Sequence, residues 1–360
     1  MANVIRADLR DWRRTIVLSD VHGHATLLRR MLEELDFSDR DLLIVLGDLI
    51  LRGRENAAVL RLAMALAERP NVLILGGNCD NVFESVARMP PEERLRVLRG
   101  NGFCAELLAP LAPPEDASGD ELLALLLSRY AAERAFLAAR PDILATPQAV
   151  FVHGGLPGGD LADAPGWDPE ACRKNDDYLS HAPTLDRPVV VGHWPCALYA
   201  GDFPDATPHW DGKKRVLFID GGLGVKPDGQ LNAVVIPEGD FERREYRAVD
   251  ALPVLRARTA QAPSESSFFL RYGDDRVERL KERDGMTLVR HLRTGRSLWV
   301  LNARLWSDER GHRCADSTDY LLPVQPGDEL RLVADAARGK LVKKNGVTGW
   351  YLGETEESST

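Results

Sequence analysis

A chain of 360 residues with 44% hydrophobic and 28% charged content is longer than an average single domain and too balanced to be disordered or fibrous. It has no apolar run of about 18 residues, so no membrane-spanning helix is expected; residues 1–14 lack the apolar stretch of a secretory signal. The net charge of −9 lies wholly in residues 1–263, with 30 Lys+Arg against 39 Asp+Glu, since residues 264–360 carry 16 of each, and an acidic field makes long nucleic acid a poor partner.

Residues 15–19 (TIVLS) form a short β-branched run that reads as a buried strand. Residues 25–35 follow with Leu28, Met31, Leu32 and Leu35 at helical spacing. A second buried run, 42–46, leads into Gly47-Asp48. Residues 54–68 repeat the helical pattern through Val59, Leu62 and Leu66, with Pro70 beyond its end. Residues 71–75 are a third strand. Two successive β-α-β units predict a parallel sheet with helices on its faces. Residues 84–146 read as a helical insertion. Its clearest helix starts at Ser118, where Glu121 completes a capping box, and its stripe runs through Leu122, Leu126, Tyr130 and Leu137 to a stop at Pro141. Four β-like runs follow, at 149–152, 188–191, 216–219 and 231–236, and read as the second half of the sheet. The composition then shifts to Ala, Pro, Ser and Arg over 252–267, as in a linker. Residues 268–353 predict a small all-β domain, and 354–360 a polar, disordered tail. The five cysteines are odd in number and lack a C-x-x-C pair, which speaks against a disulfide framework and for a reducing cytoplasm.

The placement of polar residues carries the chemistry. The first run ends in Asp20-Val21-His22, the second in Gly47-Asp48 and the third in Gly76-Gly77-Asn78-Cys79-Asp80. The later runs end in His153-Gly154-Gly155 and Gly192-His193. In open α/β sheets ligands bind beyond the carboxyl ends of the strands, so five strand ends predict one cleft lined with metal-type ligands. Two divalent ions about 3.5–4 Å apart clamp a phosphoryl group and share one hydroxide as nucleophile, and Asp48 is the natural bridge. Asp and His donors suit Mn²⁺, with Fe or Zn²⁺ as alternatives, better than Mg²⁺. Arg52 stands where a guanidinium can grip phosphate.

The motifs S-D-V-H-G-H (19–24), G-D-L-I-L-R-G (47–53), G-G-N-C-D (76–80), V-H-G-G-L (152–156) and V-G-H-W (191–194) together resemble the calcineurin-like metallophosphoesterase superfamily. Within it the chain is similar to the phosphoprotein phosphatase branch and its bacterial relatives, diadenosine tetraphosphate hydrolases included. The resemblance spans roughly residues 15–240 and implies a four-layer α/β/β/α sandwich as residues 1–251. It implies one metal on Asp20, His22 and Asp48, and a second on Asp48, Asn78, His153 and His193. Pro195 stands where other phosphodiesterase branches carry a further His, which favours the phosphoprotein phosphatase arrangement.

Two departures matter. The family's second motif carries an Asp where this chain has Leu51, and its third carries a His where this chain has Cys79. In the family those two residues form the pair that protonates the leaving group, a contribution of about 10²–10⁴-fold. The expectation is therefore a dinuclear phosphoesterase acting on phosphorylated protein or small phosphate esters, with Asp80 or Cys79 as candidate catalytic groups beside Arg52. One alternative is a phosphodiesterase or nucleotide pyrophosphatase on the same metals, favoured by the missing pair. The other is a weakly active phosphoprotein-binding module. The C-terminal β domain loosely resembles a bacterial SH3-like barrel and offers a surface for a protein partner.

Overall fold

The computed structural model describes residues 1–357. It separates into two compact units that interleave along the chain. One comprises Met1–Pro195, Pro208–Val225 and Leu231–Asp250; the other comprises Cys196–Thr207, Lys226–Gln230 and the chain from Ala251 onward. No helix among the described residues is long and apolar enough to cross a membrane.

The first unit contains β1 (Val4–Arg6), β2 (Arg14–Leu18), β3 (Asp41–Val45), β4 (Val72–Ile74), β5 (Ile143–Ala145), β6 (Val150–Val152), β7 (Val189–Val191), β8 (His209–Asp211), β9 (Val216–Phe218), β10 (Leu231–Pro237) and β11 (Glu245–Val249). These form two sheets, in the orders β11-β10-β2-β3-β4 and β1-β5-β6-β7-β9-β8. The β2-β3-β4 and β6-β7-β9 runs are parallel. Two helices, α1 (Ala25–Glu34) and α2 (Asn56–Ala67), make the crossovers of the first run.

Alternation along each strand sorts its side chains between two cores. Ile16, Leu18, Leu43, Val45, Val72 and Ile74 join Leu28, Met31, Val59 and Ala63 of the two helices. Val17, Leu42, Ile44 and Leu46 instead meet Leu144, Phe151, Val190 and Leu217 of the other sheet. The two sheets thus pack face to face. The run 231–236, expected beside the later strands, instead pairs antiparallel with β2 in the register Ala233↔Leu18 to Pro237↔Arg14. Its sequence hides that choice. Ala233 and Val235 face the helices while Val234 and Ile236 face the other sheet, so both faces are apolar and no polar alternation marks a partner.

The insertion holds five α-helices, α3 (Val82–Arg88), α4 (Pro91–Arg99), α5 (Phe103–Leu108), α6 (Gly119–Arg129) and α7 (Ala131–Ala138). The capping box at Ser118 and Glu121 is formed. The single helix expected through Leu137 is broken at Tyr130, whose backbone leaves the helical region at φ −110 and ψ 33. Its hydroxyl donates to the Leu107 carbonyl at 2.8 Å, a tertiary tie that a periodicity argument cannot see. Glu106 of α5 accepts the Ala57 N–H at 3.0 Å and caps the amino end of α2.

Asp41 opens β3 with its side chain fully buried. It takes hydrogen bonds from Arg13, Arg14 and the Ser38 N–H. Burial opposes its charge, but these donors outweigh burial and hold the carboxyl below its ordinary value. Its stabilising effect is therefore present above the unfolded carboxylate range and is lost as pH falls below about 4. Asp41→Asn is expected to cost about 3 kcal/mol at neutral pH, and the difference between variant and wild type in urea unfolding should shrink in acid.

The second unit is all β among its longer elements. Its five-stranded sheet has the order Val347–Tyr351, Gly339–Lys344, Glu329–Ala336, Val254–Ala257 and Thr355–Glu357, and its three-stranded sheet is Val277–Arg283, Met286–His291 and Ser297–Leu301. Two expectations change here. Residues 252–267 are not linker throughout, because Val254–Ala257 is a central strand paired on both sides with Leu255 and Ala257 buried. The short pattern was masked by its Arg and Pro neighbours. Of the tail 354–360, Thr355–Glu357 pairs with that strand, and the last three residues lie outside the described residues.

Candidate metal centre

Six ligand-type side chains follow five strands drawn from both sheets. Asp20 and His22 come just after β2, Asp48 after β3 and Asn78 after β4. His153 directly follows β6, and His193 comes two residues after β7. The loops carrying them are strained. Asp20, His22, Asp48, Leu51, Arg52 and His193 all have φ between 45 and 72, a region that costs a non-glycine residue free energy and is held only where surroundings over-determine it.

Glycines allow these loops to nest. A Cβ on Gly77 would stand 2.2 Å from both the Asp48 nitrogen and its Oδ1, and one on Gly192 would stand 1.9 Å from Ser19 Oγ. Gly77→Ala is therefore expected to cost about 1–3 kcal/mol and to displace the Asp48 carboxylate. A lowered urea midpoint together with reduced metal content would show both effects.

Asp48 lies at the centre. Its Oδ2 is 3.7 Å from His22 Nε2 and its Oδ1 is 3.4 Å from His153 Nε2. His153 Nε2 is also 3.2 Å from Asn78 Oδ1, and the His153 and His193 rings have centroids 5.4 Å apart. Asp20 Oδ2 accepts from Ser19 Oγ and, at 3.0 Å, from the His193 N–H. Its Oδ1 is buried without a hydrogen-bond partner and lies 3.7 Å from His22 Nε2. The imidazoles are oriented from outside. His22 Nδ1 is 3.2 Å from the Ile50 carbonyl, so Nδ1–H donates there and Nε2 is the nitrogen turned toward both carboxylates. His193 Nε2 sits 2.8 Å from Asp176 Oδ1, which turns Nδ1 into its lone-pair nitrogen.

The electrostatics are those of a cation site. Asp20 and Asp48 are 1% and 2% exposed, and no Lys or Arg pairs with either among the described residues. Burial raises Asp20 to about 6, with Asp48 adding to the push. For Asp48 burial acts the same way, but His153 and His22 outweigh it and hold the carboxyl down. Burial works against charge on His153, yet Asp48 and Asp20 lift it to about 9. Burial, then the charge of His153, lowers His193. Two buried carboxylates without a Lys or Arg partner are costly, and oxygen and nitrogen donors in this arrangement fit divalent ions. Asp20, Asp48 and His153 offer ligand atoms within 4.8 Å of one another, as do His22, Asp48 and Cys79.

The other candidates lie differently. Arg52 is exposed and has no hydrogen-bond or ion-pair partner among the described residues; its Cβ and that of His22 both border Gly224. Leu51 is half-buried against the helix-side core. Asp80 is 4% exposed and accepts from the Asp48, Leu49 and Gly77 N–H groups at 3.0, 2.9 and 2.9 Å. It therefore acts as a clamp between two strand-end loops, with its oxygens turned to backbone. Cys79 is 9% exposed, and burial and then Asp48 push its thiol up. Two carboxylates were not singled out in the sequence. Asp176 lies in a loop with no motif. Asp220 is 1% exposed and is raised to about 8, first by burial and then by nearby Asp20. The signal for Asp220 was its place two residues after β9, the same offset that marks His193.

The model of the calcineurin-like phosphoesterase family matches residues 13–217, which is more than half of the chain. The chain belongs to the calcineurin-like phosphoesterase family. All six ligand-type residues fall within that match. Among relatives of this family, a symmetrical bis(5'-nucleosyl)-tetraphosphatase from Proteus mirabilis is 33% identical over 99 residues, covering 26% of this chain and 36% of that protein. Its counterpart from Edwardsiella ictaluri is 34% identical over 89 residues, covering 23% and 31%. The chain thus spans about a third of the length of these relatives. Among solved structures, a protein serine/threonine phosphatase from Saccharomyces cerevisiae is 12% identical with a TM-score of 0.44, covering 70% of this chain and 84% of that one. A metallophosphoesterase from Sphaerobacter thermophilus is 16% identical with a TM-score of 0.37, covering 66% and 89%. Likeness at these TM-scores carries no function across.

Proposed function

We propose that this chain is a phosphoesterase that hydrolyses phosphate esters with two divalent ions, one on Asp20, His22 and Asp48 and the other on Asp48, Asn78, His153 and His193. The observation that carries the reading is the pair of buried carboxylates facing the His22 and His153 imidazoles with no Lys or Arg to balance them. When bound, the ions supply positive charge against the phosphoryl oxygens and make water nucleophilic near neutral pH. Asp48 is shared, so it sets the spacing of the two sites. Ile50 and Asp176 hold the tautomers of His22 and His193. Arg52 binds the non-bridging phosphate oxygens, and its lack of a partner leaves the guanidinium free to do so. Mn²⁺ suits the oxygen and nitrogen donors, and the setting is the cytoplasm.

Leu51 and Cys79 supply no imidazole–carboxylate pair for the leaving group, and the oxygens of Asp80 are committed to backbone. That observation favours a second reading within the same chemistry, in which the substrate is a nucleotide polyphosphate or diester whose leaving group departs without a proton. The test is a panel of substrates with Mn²⁺: an aryl monoester, an aryl diester, a phosphoserine peptide and a dinucleoside tetraphosphate. Turnover of the last far above that of the peptide supports the second reading, and the reverse order supports a protein phosphatase. Failure to hydrolyse any of the four overturns both.

A further inference from the structure

The geometry points to Cys79 as a metal ligand, the sulfur donor of a site completed by His22 and Asp48. This inference rests on the metal reading above and goes beyond it, because that reading assigns the thiol no place among the ligands.

The three donor atoms lie within 4.8 Å of one another and all three residues are buried, a spacing that one ion with bonds of about 2.0–2.3 Å can bridge. Each donor is fixed from outside the cluster. His22 Nδ1–H is directed to Ile50 O, so Nε2 is the ring nitrogen turned into the cluster. Asp48 presents Oδ2 to His22 at 3.7 Å while its Oδ1 accepts the Cys79 N–H at 2.8 Å. That backbone bond pins the cysteine against the carboxylate it would share an ion with. Asn78 Nδ2 lies 3.5 Å from the sulfur, with the amide as donor and Sγ as acceptor. Asp20 Oδ1 is buried without a partner beside His22 Nε2, so a fourth donor faces the same ring nitrogen. On ligation the thiol proton passes to water and the sulfur binds as thiolate, as coordinating thiols do.

A buried cysteine is more often an inert apolar residue. The other four cysteines, Cys104, Cys172, Cys196 and Cys314, fit that description: all are buried, and none belongs to a cluster of metal-capable donors among the described residues. Cys79 is set apart by its neighbours rather than by its burial. A sulfur, nitrogen and oxygen set selects a thiophilic ion such as Zn²⁺ or Fe²⁺, whereas the second site on Asp48, Asn78, His153 and His193 offers only oxygen and nitrogen and suits Mn²⁺. The pair of sites is then asymmetric in metal preference.

The test strips the full-length protein of metal, reloads it with Zn²⁺, and measures zinc-edge X-ray absorption and zinc content on the same sample. The expected result is a sulfur scatterer at about 2.3 Å in the wild type that is absent from Cys79→Ser and Cys79→Ala. Partners outside the ligand shell alone are worth about 10–100-fold in affinity, so both variants should bind Zn²⁺ at least about tenfold more weakly, with Mn²⁺ binding little changed. Zinc bound in the wild type with only nitrogen and oxygen scatterers overturns the inference while leaving the metal reading intact. A sulfur shell that persists in both variants also overturns it. If no zinc or manganese binds, the metal reading itself falls and this inference with it. Should either variant fail to fold, the wild-type spectrum with its ion count still decides.

Discussion

Replacing Asp48 with asparagine is expected to abolish tight binding of both ions and to lower kcat/KM by at least about 10²–10³-fold, the cost of removing one preorganised electrostatic partner from an active site. The reason is its central place. One oxygen faces His22 and the other faces His153, so a single carboxylate serves both clusters of donors. Asparagine keeps the shape and the oxygen that accepts the Cys79 N–H, but it removes the charge. His153 and His22 then lose the anion between them. Metal content by elemental analysis and kcat/KM on an aryl phosphate check the prediction. Asp80→Asn is the contrast. It should destabilise the protein by loosening the Asp48, Leu49 and Gly77 backbone without removing a ligand. A metal-replete Asp48→Asn protein with near wild-type turnover would show that the shared carboxylate is not the centre of the site.

The second large effect concerns the leaving group. Without an acid pair the rate should depend steeply on leaving-group pKa, with aryl phosphates cleaved readily and alkyl phosphates such as phosphoserine slowly. Leu51→Asp combined with Cys79→His restores the residue types found in the family. It should raise turnover of alkyl esters toward the about 10²–10⁴-fold that general acids contribute, with a smaller gain on aryl esters, whose leaving groups need no proton. Each single change should do less, because the imidazole needs its carboxylate to set the tautomer and stabilise its charge. The Leu51 position is half-buried against apolar neighbours, so the aspartate alone also costs stability. The measurement is kcat/KM across an ester series for the wild type and the three variants, and a flat series in the wild type would mean that another acid is present.

The convergence of the candidate ligands was legible in the sequence because each follows an apolar run short enough to be a strand, and strand ends converge by the topology of parallel sheets. Asp20, Asp48 and His153 needed no long-range information beyond that. The partition into two sheets was not legible. Every strand near the site is apolar on both faces, and a run such as 231–236 carries no mark of the neighbour it pairs with. Very short strands such as Val4–Arg6 fall below the length at which a period can be read. The supports of the site were hidden for a related reason. Asp176 approaches His193 from a loop 17 residues away in sequence, and the three amides on Asp80 turn a candidate acid into a clamp. Neither follows from spacing. The strand at Val254–Ala257 was lost because composition averages over a window longer than the element itself.

In the proposed function, the buried Asp and His side chains at the strand ends hold a pair of catalytic divalent ions. The most direct test is the metal content of the purified full-length protein, measured by elemental analysis before and after chelation and set against phosphoesterase activity on the same samples. About two divalent transition-metal ions per chain are expected, with loss of activity on their removal and recovery with Mn²⁺ to a higher rate than with Mg²⁺. Protein free of transition metal, with no activation by added Mn²⁺, would contradict it.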